Sequence, residues 1–154
     1  MYVLFKLLHV TAVVAFLGNI VTGLFWHAHA ARTRDPKLLA HTMDGIIRSD
    51  RLFTIPGVVV IVASGFAAAI IHGYPILRTA WIAWTLLLFS ISGYAFMARV
   101  APLQRQLRDL AKAGAESGGF DYATYHALAR RWEFWGGIAL VTPLAGFVLM
   151  ILKP

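Results

Sequence analysis

Lys6 and His9 stand one helical turn apart inside the apolar run MYVLFKLLHVTAVVAFLGNIVTGLFW. An ionisable side chain in hydrocarbon is costly and finds a partner, so the pair marks a candidate site. Imidazole can hold a proton or bind a metal, and histidine with a second histidine or a methionine is the usual axial pair of a low-spin haem iron. The chain has no C-x-x-C-H motif, so a haem here would be the non-covalent b type. The plainer alternative is that His9 bonds a nearby hydroxyl or carbonyl while Lys6 extends its ammonium to the interface.

Candidates for a second ligand are His72, which closes the second apolar run, and Met150, near the end of the fourth. Lys6 is placed to pair with a haem propionate. A second group, His27, His29 and His41 with His126, falls at the opposite edge of the spans. Two imidazoles at i and i+2 do not share a helix face, so an aromatic and polar interface explains these better than a metal site. The seven acidic residues (Asp35, Asp44, Asp50, Asp109, Glu116, Asp121 and Glu133) fall in the connecting segments or at their edges. A carboxylate relay or acid-based cation transport is therefore not expected.

These residues need elements to position them. The 154 residues are 59% hydrophobic and 14% charged, with no cysteine and a mean hydropathy of +0.69. This composition belongs to an integral membrane protein and excludes disulfides and thiolate chemistry. The net charge of +7 is read as membrane topology and not as nucleic-acid binding. Four runs are long enough to span: about residues 2–26, 52–71, 80–97 and 135–152. Ala28, His29 and Ala30 make an A-x-A site after the first run. Its length, with no basic segment before it, favours a span over a signal peptide.

Basic residues crowd two of the three connections. Arg32, Arg34, Lys37, Arg48 and Arg51 lie in the first, and Arg99, Arg105, Arg108, Lys112, Arg130 and Arg131 in the third. The second holds only Arg78. The positive-inside rule makes the first and third cytoplasmic and puts both termini outside. Asp35 with Pro36 starts an amphipathic helix with Leu39, Met43, Ile46 and Ile47 on one face. Leu103, Leu107 and Leu110 stripe another, suited to a membrane surface. Asp121 starts a helix running toward the fourth span. The expected architecture is all-α: one transmembrane domain, residues 1–154, an antiparallel four-helix bundle with interfacial cytoplasmic helices. At about 100° per residue, His9 shares its face with Phe16, Ile20, Gly23 and His27, the expected bundle seam.

The segments KLLHVTAVVAFLGN, GLFWHAHAARTRDP and RSDRLFTIPGVVVIVASG, with the ending ILKP, resemble the bacterial four-span membrane proteins grouped as domain of unknown function 2269. A more distant similarity is to HemJ-type protoporphyrinogen oxidases and CopD-like membrane domains, carried by Lys6 and His9, by Thr54, Pro56 and Gly57, and by Lys153 and Pro154. That resemblance implies a haem b on the first-span histidine. The His-x-Lys of the HemJ type is replaced around Trp81, Ala83 and Trp84, so the lysine implied in that oxidation is missing. The function expected is a small bacterial inner-membrane protein that holds haem b in its outer half, through His9, for electron transfer or oxidoreductase chemistry. The alternative is a cofactor-free structural or accessory subunit, in a homo-oligomer or a larger membrane complex.

Overall fold

The computed structural model describes residues 1–153; Pro154, the last residue of the K-P ending, lies outside them. Six α-helices follow in order: α1 Tyr2–Ala31, α2 Pro36–Ser49, α3 Ile55–His72, α4 Ala80–Ala95, α5 Ala101–Ser117 and α6 Tyr122–Leu152. α2 runs into α3 through a π-helical turn, Asp50–Thr54, and α4 into α5 through another, Phe96–Val100. The four resulting rods are each long and apolar enough to cross a membrane. The protein is an all-α four-helix membrane bundle.

Local chemistry explains the ends. The Asp35 carboxylate accepts from the Lys37 N–H at 2.9 Å with Pro36 at the first helical position, and Asp121 accepts from the Thr124 N–H at 3.1 Å. Gly73 (φ 80°) and Gly118 (φ 70°) close α3 and α5 in the left-handed conformation that a side chain would resist. Each π turn is followed two residues on by a proline, Pro56 or Pro102. The missing N–H disturbs the ladder behind it, and a widened turn absorbs the mismatch. Inside α6, Pro143 cannot bond the Ala139 carbonyl, and the Ser92 hydroxyl of α4 donates to that oxygen at 2.7 Å. A neighbouring helix thus satisfies the group that proline frees.

α1 packs on α3 and α4 on α6, forming two helix pairs. Small residues allow the close approach: a Cβ on Gly146 of α6 would lie 3.0 Å from Cγ2 of Thr85 on α4. The pairs meet through α1 and α6, where a Cβ on Gly136 would lie 3.2 Å from Leu24. α3 and α4, although consecutive, nowhere bring Cα atoms within 8 Å of each other. Beyond the spans, α2, α5 and the start of α6 build a tight core around the fully buried Leu39, Met43, Leu107 and Tyr125. The leucine stripe of α5 therefore faces protein and not a lipid surface, because the stripe of α2 offers it an apolar partner at once. Lys112 of α5 pairs with Asp44 of α2 at 2.8 Å on the rim of that contact.

Candidate functional site

Between the two helix pairs, toward the end that carries both termini, lies a cavity of about 400 Å³. Its walls come from α1, α3, α4 and α6 and are overwhelmingly apolar. Phe16 and Phe89, with ring centres 5.7 Å apart, form its floor. Lys6, His9, Met150 and Lys153 all line it, so residues 144 positions apart in the chain (153 less 9) converge on one space.

His9 is held in a defined orientation. Its Nδ1 lies 2.8 Å from the carbonyl oxygen of Ile61, a distance at which a ring N–H donates to that carbonyl. The proton assignment follows from the acceptor, because a carbonyl cannot donate. Nε2 then carries the free lone pair, and among the described residues no hydrogen-bond partner meets it. The ring rests against Gly65: a Cβ there would lie 2.9 Å from Cε1 and 3.0 Å from Nδ1. Position 65 therefore has to be glycine for this ring placement. A histidine fixed through Nδ1 to a backbone carbonyl, with Nε2 free, is the arrangement of a metal-ligating imidazole.

The other sequence candidates divide. Met150 lines the cavity from α6, in the helix pair that does not contain His9. Lys6 lies toward the terminal end, and Lys153 places its ammonium 5.4 Å from the ring centre of Trp81. His72 is not among the lining residues. Its ring is stacked on Tyr2 at 4.9 Å and lies 4.7 Å from Tyr74, which in turn meets Trp81 at 5.3 Å. These rings form an aromatic rim in which His72 is exposed. The donor set fits a b-type haem: one oriented imidazole, a thioether on the facing pair, apolar walls, and two ammonium groups near the entrance.

Two polar clusters at the other end were not legible as sites in the sequence. Asp50, expected at a loop edge, is buried in the first π turn. Its Oδ1 accepts from Asn19 Nδ2 at 2.9 Å and Thr54 Oγ1 at 2.8 Å, and its Oδ2 from Gln104 Nε2 at 2.8 Å. Ser49 donates to the Asn19 carbonyl oxygen. All of these donors are neutral, and together they tie α1, the π turn and α5 to one carboxylate. Asn19 of α1 lies 31 positions before its partner Asp50, a separation that no local pattern spans.

His27 is fully buried, unlike the exposed His29, His41 and His126. Its Nε2 lies 3.1 Å from the Tyr125 hydroxyl and its ring centre 4.7 Å from that of Trp132. Nδ1 faces Glu133 at 3.6 Å, beyond hydrogen-bond distance, and is unpartnered, as is Trp132 Nε1. The histidine group is thus dispersed, and no cluster of three or more potential metal ligands among His, Cys, Asp and Glu occurs in the described residues.

A family described as "Predicted integral membrane protein (DUF2269)" matches residues 3–154 of the chain. No curated protein and no solved structure matches the chain.

Proposed function

We propose a function for a chain that belongs to the DUF2269 family of predicted integral membrane proteins: it binds haem b between its two helix pairs and serves in one-electron transfer. The observation that carries this reading is His9, whose Nδ1 is engaged by the Ile61 carbonyl while Nε2 is left free in an apolar cavity. His9 and Met150, from opposite helix pairs, are the residues that would hold the haem iron, and a His and Met set would raise its reduction potential. Lys6 and Lys153, lining the same cavity, would hold the two propionates by charge-assisted hydrogen bonds. Gly65 keeps the imidazole in place, and Phe16 with Phe89 closes the floor. The bound group supplies one-electron redox chemistry, and the chain orients it and excludes water.

The basic residues of the α2 and α5 end support a cytoplasmic placement of that end in a bacterial inner membrane, with both termini and the cavity in the outer half. The test is an absorption spectrum of the detergent-purified protein titrated with haemin, oxidised and then reduced with dithionite. The expected result is a saturable Soret band at one haem per chain, lost in His9→Ala and shifted in Met150→Ala. A colourless protein after titration, or a band unchanged by His9→Ala, overturns the reading in favour of a cofactor-free structural subunit.

A further inference from the structure

Two arginines flank one tryptophan where α4 and α6 leave the apolar part of the bundle. Two cross-links fix the register of these helices: Thr85 Oγ1 donates to the Gly146 carbonyl at 3.3 Å, and Ser92 Oγ to the Ala139 carbonyl at 2.7 Å. Seven residues along α4 thus match seven back along α6. The same step again brings Arg99, in the second π turn, level with Trp132 and beside Arg131. The Arg99 guanidinium carbon lies 5.4 Å from the ring centre of Trp135. Arg131 precedes Trp135 by four residues, the spacing of neighbours on one helix face. The tryptophan is half-buried, whereas both arginines are exposed.

Neither arginine enters an ion pair among the described residues. Asp44 and Asp109 are engaged by Arg108 and Lys112, and Glu133 faces His27. At about 100° per residue Glu133 stands on the far side of α6 from Arg131, so it does not neutralise this face. Toward the span the same face turns apolar: Ile138 and Ala145 follow Arg131 at heptad steps, and Met97 of the second π turn is 69% exposed. The matched ligand is therefore an anion with an apolar body. Guanidinium forks meet phosphate oxygens bidentately, and a half-buried indole suits the glycerol level of a bilayer. The other helix pair lacks this arrangement. Arg51 stands at the corresponding level of the first π turn, but α1, tied to that turn through Asn19, has no basic residue within a turn of it.

We infer that the groove of α4 and α6 at Arg99, Arg131 and Trp135 binds an anionic glycerophospholipid, its phosphodiester between the two guanidinium groups and its acyl chains along Ile138, Ala145 and Met97. The site lies at the end of the bundle away from the haem cavity and is independent of haem binding. A basic residue at an anionic membrane surface contributes about fivefold in affinity.

The experiment is native mass spectrometry of the purified full chain in detergent, titrated with phosphatidylglycerol and, separately, with phosphatidylcholine of the same acyl chains. One phosphatidylglycerol per chain is expected to bind at least about tenfold more tightly than phosphatidylcholine. Arg99→Gln, and independently Arg131→Gln, should each weaken phosphatidylglycerol about fivefold and leave phosphatidylcholine unchanged. Arg51→Gln, which removes a cation at the same depth on the other helix pair, should leave both lipids unchanged. These side chains are exposed, so the three variants should unfold thermally with the unaltered chain. Equal affinity for the two lipids overturns the inference. So does a loss in Arg51→Gln as large as in Arg99→Gln, which is the behaviour of a diffuse basic belt. Displacement of the bound lipid by an equal concentration of soluble glycerol phosphate also overturns it, in favour of a free-phosphate site.

Discussion

An alanine at position 65 would place its Cβ 2.9 Å from Cε1 and 3.0 Å from Nδ1 of His9. The atoms in the way are the far end of a side chain with two rotatable bonds, so the imidazole moves and the backbone stays. Moving it breaks the 2.8 Å bond to the Ile61 carbonyl. The fold loses one hydrogen bond, a net cost of about 0.5 to 1.5 kcal/mol. Replacing a mid-helix glycine by alanine returns about 0.8 to 1.0 kcal/mol. The two terms nearly cancel, so unfolding of Gly65→Ala should lie within about 1 kcal/mol of the unaltered protein. The site does not share in the compensation. A ligating histidine that loses its outer hydrogen bond costs roughly 10 to 100-fold in affinity for the metal. Thermal unfolding in detergent beside a haemin titration followed at the Soret band separates the two effects. Unchanged haem affinity would refute the assignment of Gly65 and the Ile61 carbonyl as the groups that hold His9. A large loss of stability would refute the claim that the ring, and not the backbone, gives way.

Other perturbations follow from the same geometry. Asp50→Ala leaves the side-chain donors of Asn19, Thr54 and Gln104 without their acceptor and should cost about 2 to 4 kcal/mol in denaturant unfolding, with Asp50→Asn milder because it keeps one acceptor oxygen. Tyr125→Phe leaves both nitrogens of the fully buried His27 unpartnered and should destabilise by about 1 to 3 kcal/mol; a neutral result would mean that His27 finds Glu133 instead. The Thr124 hydroxyl and N–H hold the Asp121 carboxyl below its ordinary value. A depressed folded value means the cap contributes above the unfolded carboxyl's pKa and is lost as pH falls through the folded one. Amide exchange at Thr124, corrected for intrinsic rate, should therefore accelerate below the carboxylate range, and a flat profile would count against the cap.

Hydropathy carried most of the architecture because a span must be continuously apolar, and that is a property of neighbours in sequence. The caps at Asp35 and Asp121 were legible for the same reason, as each acts within three residues of itself. The seam through His9, Phe16 and His27 followed from helical periodicity, and Phe16 and His27 are both buried. What escaped the sequence is long-range or out of phase. The burial of Asp50 depends on Gln104, 54 positions away, and that of His27 on Tyr125, 98 positions away. The α5 stripe read as membrane-facing because its composition suits either a lipid surface or another stripe; only the arrival of α2 decides between them. Neither π turn leaves a hydropathy signal, since widening one turn changes the direction of later side chains and not their polarity.

Those two turns also set a phase relation between the spans and the core beyond them. Each carries one residue more than a regular helix needs, and an α-helix rotates about 100° per residue. Deleting one residue from Asp50–Thr54 would swing Leu39 and Met43 by that angle away from Leu107, while α3 kept its place in the membrane. A deletion in Phe96–Val100 would swing Leu107 away from them in turn. Length at these two turns should therefore be fixed in this family: a residue gained or lost near 50–54 or near 96–100 turns one apolar stripe away from the other, and a second change does not bring them back face to face.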